Sequence, residues 1–461
     1  MRRFPTSRKI IMFLGDTLLI GLSYMVTVSL ARGKEFGLGS IYHDIGIILL
    51  LLILTVLLLH VHGLYQVRHK RRTEIILSVI SVSIWDIVFV GVLTFFLVAT
   101  AYPARELAID IFFQGLSLTG WRYLFWLAER QRQKNRLVLL IGSADECNHV
   151  WQRLSKEPEL NMRLKYVCTD MENTPWQDAA QKVDIILICP NMRHRHKVEL
   201  INYCHAHGKR PLLIPNTYEI FVNTAELSRI DDIPVFRPHT LRPSLETRVL
   251  KRAMDIVLAT IGLIGALPFM LFTAIAIKLT DPGPLIYSQI RTGKDGKEFK
   301  VHKFRTMKVD AEKTTGPMLA QEDDPRITKT GRFLRQVRLD ELLQIFNVLR
   351  GHMSIVGPRP ERPFFVKKFT NEIPEYAYRH NVKPGITGLA QVYGKYNTTA
   401  FDKLTYDLMY IQKMSLWLDI VIIIRTVKVL LTKSATEGTK SSTGEVNLER
   451  YAIGRAVYGD F

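Results

Sequence analysis

The sequence predicts a three-part chain: an α-helical membrane region of four transmembrane helices, a small α/β domain, and a mixed, mainly α-helical C-terminal domain carrying a re-entrant membrane helix. Three observations predict it. Long apolar runs crowd the first third of the 461 residues. Short apolar runs alternate with polar helical stretches in the middle. A further apolar run with a central proline opens the second half.

The apolar runs are Ile10–Leu30, Ile45–Leu59, Ile75–Val98 and Leu107–Leu127. The first has the length of about 20 residues that a membrane helix needs, and it lacks the small-residue cleavage site of a signal peptide. Arg2, Arg3, Arg8 and Lys9 precede the first run, and Arg68, Lys70, Arg71 and Arg72 separate the second from the third. Arg130, Arg132, Lys134 and Arg136 follow the fourth, whereas the other two connections carry only Arg32, Lys34 and Arg105. Positive-inside counting therefore places the N-terminus and everything beyond Arg130 in the cytoplasm, with residues 1–130 as the membrane region. Asp16, Asp86 and Asp110 fall in or near the spans. With no evident substrate path, they are read as partners in interhelical or helix–backbone hydrogen bonds.

In residues 131–243 the runs Leu137–Ile141, Tyr166–Cys168, Val183–Cys189 and Pro211–Ile214 alternate with helical stretches, the pattern of a Rossmann-like parallel sheet. Gly142-Ser143-Ala144 stands where a dinucleotide fingerprint begins, but the later glycines of that motif are missing. The segment Ile220–Pro243 reads as a connector and residues 434–461 as a polar, partly ordered tail. All four cysteines, Cys147, Cys168, Cys189 and Cys204, lie in the middle region away from metal-finger spacing. Thiolate chemistry in the C-terminal half is thereby excluded. The net charge of +19 suits anionic partners. Because the basic clusters adjoin apolar spans, lipid headgroups and phosphorylated substrates fit better than nucleic acid.

Lys251-Arg252 opens the run Ile256–Leu279, which Pro268 interrupts. Proline deletes a helix hydrogen bond and bends the axis. Basic residues at both ends favour a re-entrant helix over residues 251–279 that returns to the cytoplasmic face. Further on, Arg338-Leu-Asp-Glu-Leu-Leu starts an apolar-periodic helix. Asp340 falls in its first turn, where the helix dipole favours an ionised carboxylate, as a nucleophile requires. Glu341 points about 100° away and suits Mg²⁺, which takes one or two carboxylates plus phosphate oxygens. Arg291, Lys303, Arg305, Arg338 and Arg359 supply cations, and Arg359 is pinned between Pro358 and Pro360.

Together Gln289-Ile-Arg-Thr-Gly293, Phe299-Lys-Val-His-Lys-Phe-Arg-Thr-Met307, the acid pair with Asn347-Val-Leu-Arg-Gly-His-Met-Ser-Ile-Val-Gly-Pro-Arg-Pro360, and Lys383-Pro-Gly-Ile-Thr-Gly-Leu-Ala-Gln-Val-Tyr-Gly394 resemble the bacterial sugar transferase family, the monotopic phosphoglycosyl transferases. Asp407, Tyr410 and Trp417-Leu-Asp-Ile420 complete the resemblance, and the run Ile420–Leu431 reads as an interfacial helix. The sequence departs from the family pattern at Leu267, Arg338 and Leu343, where the family commonly has Ser, Ser and Pro.

The resemblance implies a catalytic domain over residues 244–433 in the long form of the family, lodged in the bacterial inner membrane with catalysis on the cytoplasmic face. It implies transfer of a sugar-1-phosphate from a UDP-sugar to undecaprenyl phosphate, with Mg²⁺ as cofactor. Asp340 would be the nucleophile, Glu341 the metal ligand, and Arg291, Lys303, Arg305, Arg338 and Arg359 the phosphate contacts. Gln391 and Asp407 would meet the nucleotide or sugar. UDP-glucose or UDP-galactose is the expected donor, then N-acetylhexosamine donors, in the service of exopolysaccharide, capsule or O-antigen assembly. A homodimer is expected, and no nucleic-acid partner. Two rival readings are a membrane-bound nucleotide-sugar dehydratase, which needs a complete glycine fingerprint and a Tyr-x-x-x-Lys pair, and a non-catalytic membrane scaffold.

Overall fold

The structure is a computed structural model that describes residues 6–32, 38–66, 70–96, 104–131, 135–238, 240–308, 324, 326–394, 398–431, 451 and 453. Two compact units emerge, residues 1–216 with 442–461, and residues 217–441.

The first unit opens with helices α1 (Thr6–Arg32), α2 (Leu38–Val61), α3 (Arg72–Phe96) and α4 (Ala104–Gln131). The four expected spans fall on these helices, apart from Leu97 and Val98, which lie outside the described residues. Among the described residues, Arg8–Ala31, Arg72–Val92 and the later Leu245–Thr280 are long and apolar enough to cross a membrane, while Ile48–Val61 forms a shorter apolar stretch. Helix α4 falls short because it carries Asp110, Gln114, Arg122 and Glu129, and all four are buried against the other helices. Arg122 pairs with Asp16 at 2.5 Å, both fully buried. Ser23 donates to Asp110 at 2.9 Å, and Gln114 donates to Thr55, which donates to Asp86 at 3.1 Å. The three acids thus tie helices together, the role expected of them.

The same unit continues through β1 (Arg136–Ile141), α5 (Ala144–Leu154), β2 (Met162–Cys168), α6 (Trp176–Gln181), β3 (Ile185–Ile188), α7 (His194–Ala206) and β4 (Arg210–Leu213). The strands form one parallel sheet in the order β2-β1-β3-β4, with Leu139, Leu140, Ile186 and Ile188 fully enclosed. Ser143 caps α5 in a capping box with Glu146, whose carboxylate also accepts the Asn191 N–H at 3.2 Å. The first strand-to-helix turn is therefore filled by the chain's own carboxylate. Ile453 donates to the Val167 carbonyl, and Tyr451 packs on the sheet's core, so these two residues of the tail expected to be partly ordered are docked.

The second unit starts at α8 (Thr217–Asn223), earlier than the expected boundary, because Ile220 packs with Tyr376, Leu404 and Leu408. The hairpin β5 (Glu226–Ile230) and β6 (Ile233–Arg237) follows, then α9 (Leu245–Thr280). At 36 residues, α9 is about 54 Å long at 1.5 Å per residue. It stays helical through Pro268, so the residue expected to interrupt the run lies inside a continuous helix. Proline forfeits a single N–H donor there, and the turns on either side remain bonded. The hydroxyl of Thr273 bonds back to the Phe269 carbonyl, a contact that often bends helices.

Beyond α9 come the antiparallel hairpin β7 (Ile286–Thr292) and β8 (Glu298–Phe304), then α10 (Lys329–Gln336), a 3-10 turn at Leu339–Glu341, α11 (Gln344–Leu349) and β9 (Ser354–Val356). Next are α12 (Pro363–Glu372), a 3-10 stretch at Pro374–Asn381, β10 (Gly385–Thr387), α13 (Leu389–Tyr393), α14 (Ala400–Gln412) and α15 (Leu416–Leu430). Helix α15, read from sequence as interfacial, buries Asp419, Ile422 and Ile424 and leaves Trp417 and Leu430 exposed.

Both ends of α9 are fastened to this one unit. Near its start, Arg252 donates to the Val348 and Leu349 carbonyls at 2.6 and 2.8 Å, closing the C-terminus of α11. Asp255 accepts from the Ser354 hydroxyl and the Ile355 N–H, both at 3.0 Å. At its end, Thr280 bonds Thr330 of α10. Lys251 pairs with the fully buried Asp419, which also accepts from Tyr410. Lys251→Met should cost about 3–5 kcal/mol of stability by leaving Asp419 unpaired, and the double change with Asp419→Leu should recover most of it. Thermal unfolding in detergent measures both.

Candidate active site

The 3-10 turn at Leu339–Glu341 sets the acid pair. Arg338 adopts φ +59°, a left-handed conformation uncommon outside glycine, and redirects the chain between α10 and the turn. Bonds of the i to i+3 type continue from Leu339 to Phe346 before α11 settles. The acid pair thus lies on this turn and not in the first turn of an α-helix, which corrects the sequence expectation.

Glu341 is the centre of an ionic cluster. Lys303, on β8, reaches it at 2.6 Å, Arg359 at 3.0 Å and Arg338 at 3.8 Å. Burial alone would raise its carboxyl, but Lys303, Arg359 and Arg338 hold it well below the usual carboxylate range. Beside it, Asp340 is 7 % exposed. Burial and then repulsion from Glu341 push its carboxyl up to about 6, against the pull of Lys303, Arg335 and Arg338. The helix dipole expected to keep Asp340 ionised is absent from this three-residue turn, and burial raises the carboxyl instead.

These residues line a cleft of about 1160 Å³. Its walls include Leu258 and Gly262 of α9, Ile286 and Arg291 of the hairpin, Phe365 and Phe369 of α12, and Gln391 of α13. One wall is thus apolar and continuous with α9, which also exposes Ile261, Ile264, Leu267 and Phe272.

The predicted residues divide into three groups. Asp340, Glu341, Lys303, Arg338 and Arg359 are brought together as expected. Arg305 and Gln391 line the cleft with unused bonding capacity. Arg305 is 7 % exposed and pairs with Asp281 at 3.3 Å, yet its Nε and Nη1 have no hydrogen-bond partner. Gln391 donates to the Ile386 carbonyl while its buried Oε1 accepts nothing. Arg291 and Asp407 are committed elsewhere. Arg291 donates to the Pro360 carbonyl at 3.1 Å and to Gln289, and burial lowers its guanidinium to about 10. Asp407 is 1 % exposed, does not line the cleft, and pairs with Arg379 at 2.8 Å. The expected nucleotide contact by Asp407 is corrected on that ground. Pro268 lies about two thirds of the way along α9, outside the cleft lining.

Sequence reasoning missed Arg335, whose charge acts on Asp340, and Arg379. Arg335 stands five residues before Asp340 in an amphipathic helix, a readable cue; Arg379 sits in a 3-10 stretch with no motif. Mg²⁺ can be judged from the donor set. Among the described residues, no group of three or more His, Cys, Asp or Glu could hold an ion. Glu341 offers one carboxylate now shared by cations, which fits an ion brought in on a diphosphate and completed by phosphate oxygens and water.

Residues 246–433 match the bacterial sugar transferase family. Over 207 residues the chain is 44 % identical to the UDP-N-acetylgalactosamine-undecaprenyl-phosphate N-acetylgalactosaminephosphotransferase of Aeromonas hydrophila, covering 44 % of this chain and 49 % of that one. Over 221 residues it is 44 % identical to the UDP-glucose:undecaprenyl-phosphate glucose-1-phosphate transferase of Escherichia coli (strain K12), covering 47 % of each. The matching regions thus span about half the length of these two relatives. For the protein of the same name from Klebsiella pneumoniae, identity is 42 % over 321 residues, covering 65 % of this chain and 69 % of the relative. With motifs, cleft and relatives in agreement, the chain belongs to the bacterial sugar transferase family.

Proposed function

We propose that this chain transfers a sugar-1-phosphate from a UDP-sugar to undecaprenyl phosphate through a covalent aspartyl intermediate. The observation that carries the reading is a buried carboxylate, Asp340, beside a carboxylate-centred cluster of three cations in a cleft walled partly by a membrane-length helix. An Asp340 oxygen attacks the β-phosphorus of the donor. The bond from that phosphorus to the bridging oxygen breaks, and UMP leaves with the electron pair. An oxygen of undecaprenyl phosphate then attacks the same phosphorus and expels the Asp340 carboxylate. Lys303, Arg338 and Arg359 exchange Glu341 for phosphate oxygens as charge builds on the diphosphate. The unpartnered Nε and Nη1 of Arg305 supply further donors for phosphate oxygens. The free Oε1 of Gln391 accepts from a donor group of the nucleotide or sugar. Mg²⁺, held at Glu341, would neutralise diphosphate charge.

The reading places the catalytic unit on the cytoplasmic face of the inner membrane, with four spans before it and α9 as a re-entrant helix. That both ends of α9 fasten to one unit supports re-entry, since an upright helix of about 54 Å would separate its ends by more than the hydrocarbon core of about 30 Å. Relatives named for glucose and for N-acetylgalactosamine make these the leading donors, and the product would open exopolysaccharide, capsule or O-antigen assembly. A homodimer is supported by the β5–β6 hairpin, which exposes Leu227, Ile230, Ile233 and Phe236 although a two-stranded hairpin is at best marginal alone. Mass photometry in nanodiscs should read two chains, and a single-chain mass would remove the dimer from this reading.

Purified protein in nanodiscs, given Mg²⁺, undecaprenyl phosphate and a panel of UDP-sugars, should release UMP with one of them. Asp340→Asn should abolish turnover with unfolding unchanged; substantial retained activity would sink the assignment. The pH profile has a defined sign. Only ionised Asp340 attacks, so with its carboxyl at about 6 the donor half-reaction should rise with pH through about 6 and then level. Glu341→Gln removes the repulsion from Glu341 and should move that limb to lower pH. A rate already level at pH 5 in the wild type would contradict the assignment.

A further inference from the structure

We infer that Arg379, held by Asp407, is a positioning residue that aims Arg359 at the reacting diphosphate. The inference rests on the proposed function and adds residues outside the cleft's charged cluster. It begins with the backbone of the segment Pro358-Arg359-Pro360-Glu361. Two of these four residues are prolines and donate no backbone hydrogen bond, so the segment depends on its carbonyls to stay in place. All four carbonyls are held. The Gly385 N–H donates to Pro358 at 2.9 Å and the Thr292 N–H donates to Glu361 at 2.9 Å. Between them, Arg379 donates to the Arg359 carbonyl at 2.9 Å and Arg291 donates to the Pro360 carbonyl at 3.1 Å. The central two positions are thus held by charged side chains.

Arg379 is 3 % exposed. Its guanidinium pairs with Asp407 at 2.8 Å, donates to the Tyr376 hydroxyl, and lies 4.8 Å from the centre of the Tyr376 ring. A buried guanidinium is costly unless paired, and Asp407, projecting from α14, provides the opposite charge. Burial works against both charges, Asp407 overcomes it at Arg379, and Glu361 adds a smaller push that raises Arg379 and opposes ionisation of Asp407. Tyr376 in turn packs with Phe369, Leu404 and Leu408. Arg379 therefore connects the hydrophobic packing of α12 and α14 to a single carbonyl in the loop.

The geometry explains why an arginine is needed. A planar fork can bridge a carboxylate, a phenol and a carbonyl at once, whereas a lysine ammonium on a flexible stem cannot hold all three in the same plane. What is positioned is the Arg359 side chain, half exposed on the cleft side and 3.0 Å from Glu341. Displacing a clamp group by about 1 Å can cost on the order of 100-fold in rate.

Arg379→Lys is the informative change, because it keeps the charge opposite Asp407 and so spares the fold, while losing the bond to the Arg359 carbonyl. We expect kcat/KM for the UDP-sugar to fall about tenfold or more, carried mainly by kcat, with thermal unfolding close to wild type. In an Arg359→Ala background the same change should add nothing, because the group being positioned is gone. Amide exchange at Gly385 and Thr292 should quicken in Arg379→Lys, which reads the loop without any assay of turnover. Losses that multiply with those of Arg359→Ala, or unchanged exchange at both amides, would overturn the inference. A wild-type protein that releases no UMP from any UDP-sugar, with exchange still quickened in the variant, would sink the transferase reading and leave the positioning of Arg359 standing.

Discussion

The site depends on where the Glu341 carboxylate sits: at the meeting point of a β-hairpin, a 3-10 turn and a proline-flanked loop, drawing one cation from each. Gathering Lys303, Arg338 and Arg359 without an anion among them would cost several kcal/mol in repulsion and desolvation. Glu341 removes that penalty in the resting protein. In the proposed reaction the same cations pass to the donor's diphosphate, whose charge takes over from the carboxylate. The consequence for Asp340 is direct. It shares the neighbourhood of an anion that is always ionised, and it is buried, so its own carboxyl is held up near 6. One residue organises positive charge, and the other is a buried, less solvated carboxylate beside it, the arrangement the proposed nucleophile requires.

The second constraint is α9. Its outer face is apolar and exposed, while Lys251, Arg252 and Asp255 on its first turns bind α15, α11 and β9. These polar bonds fix the helix to the catalytic unit on one side, and Leu258 and Gly262 form part of the cleft wall on the next turns. The cleft therefore has an apolar wall and a cationic floor, as the proposed meeting of a lipid-borne acceptor with a water-borne donor requires.

Much of this was legible in the sequence, for identifiable reasons. The parallel sheet was readable because its strands are short, fully apolar and separated by polar helices. The adjacent acids and the Pro358-Arg359-Pro360 turn were readable because their composition is local. What was hidden is convergence over distance. Lys303 meets Glu341 across 38 positions and Arg359 across 18, and neither separation has a period. The left-handed Arg338 was illegible because nothing in an arginine announces that conformation. Asp407 was picked out as a site residue, but its partner Arg379 was not, so its position behind the loop could not be inferred. Helix α4 is less apolar than α1 to α3 because it carries polar residues that face inward to Asp16 and Thr55, a distinction that mean hydropathy does not make.

The central claim is that Asp340 becomes covalently loaded by the donor alone. Intact-protein mass spectrometry after mixing with the productive UDP-sugar, without undecaprenyl phosphate, tests this directly. The account predicts a mass gain of one sugar phosphate per chain, on the peptide containing Asp340, discharged when the lipid phosphate is added. An enzyme that turns over with lipid present yet shows no adduct and no stoichiometric UMP release without it would contradict the account and require direct transfer between the two substrates.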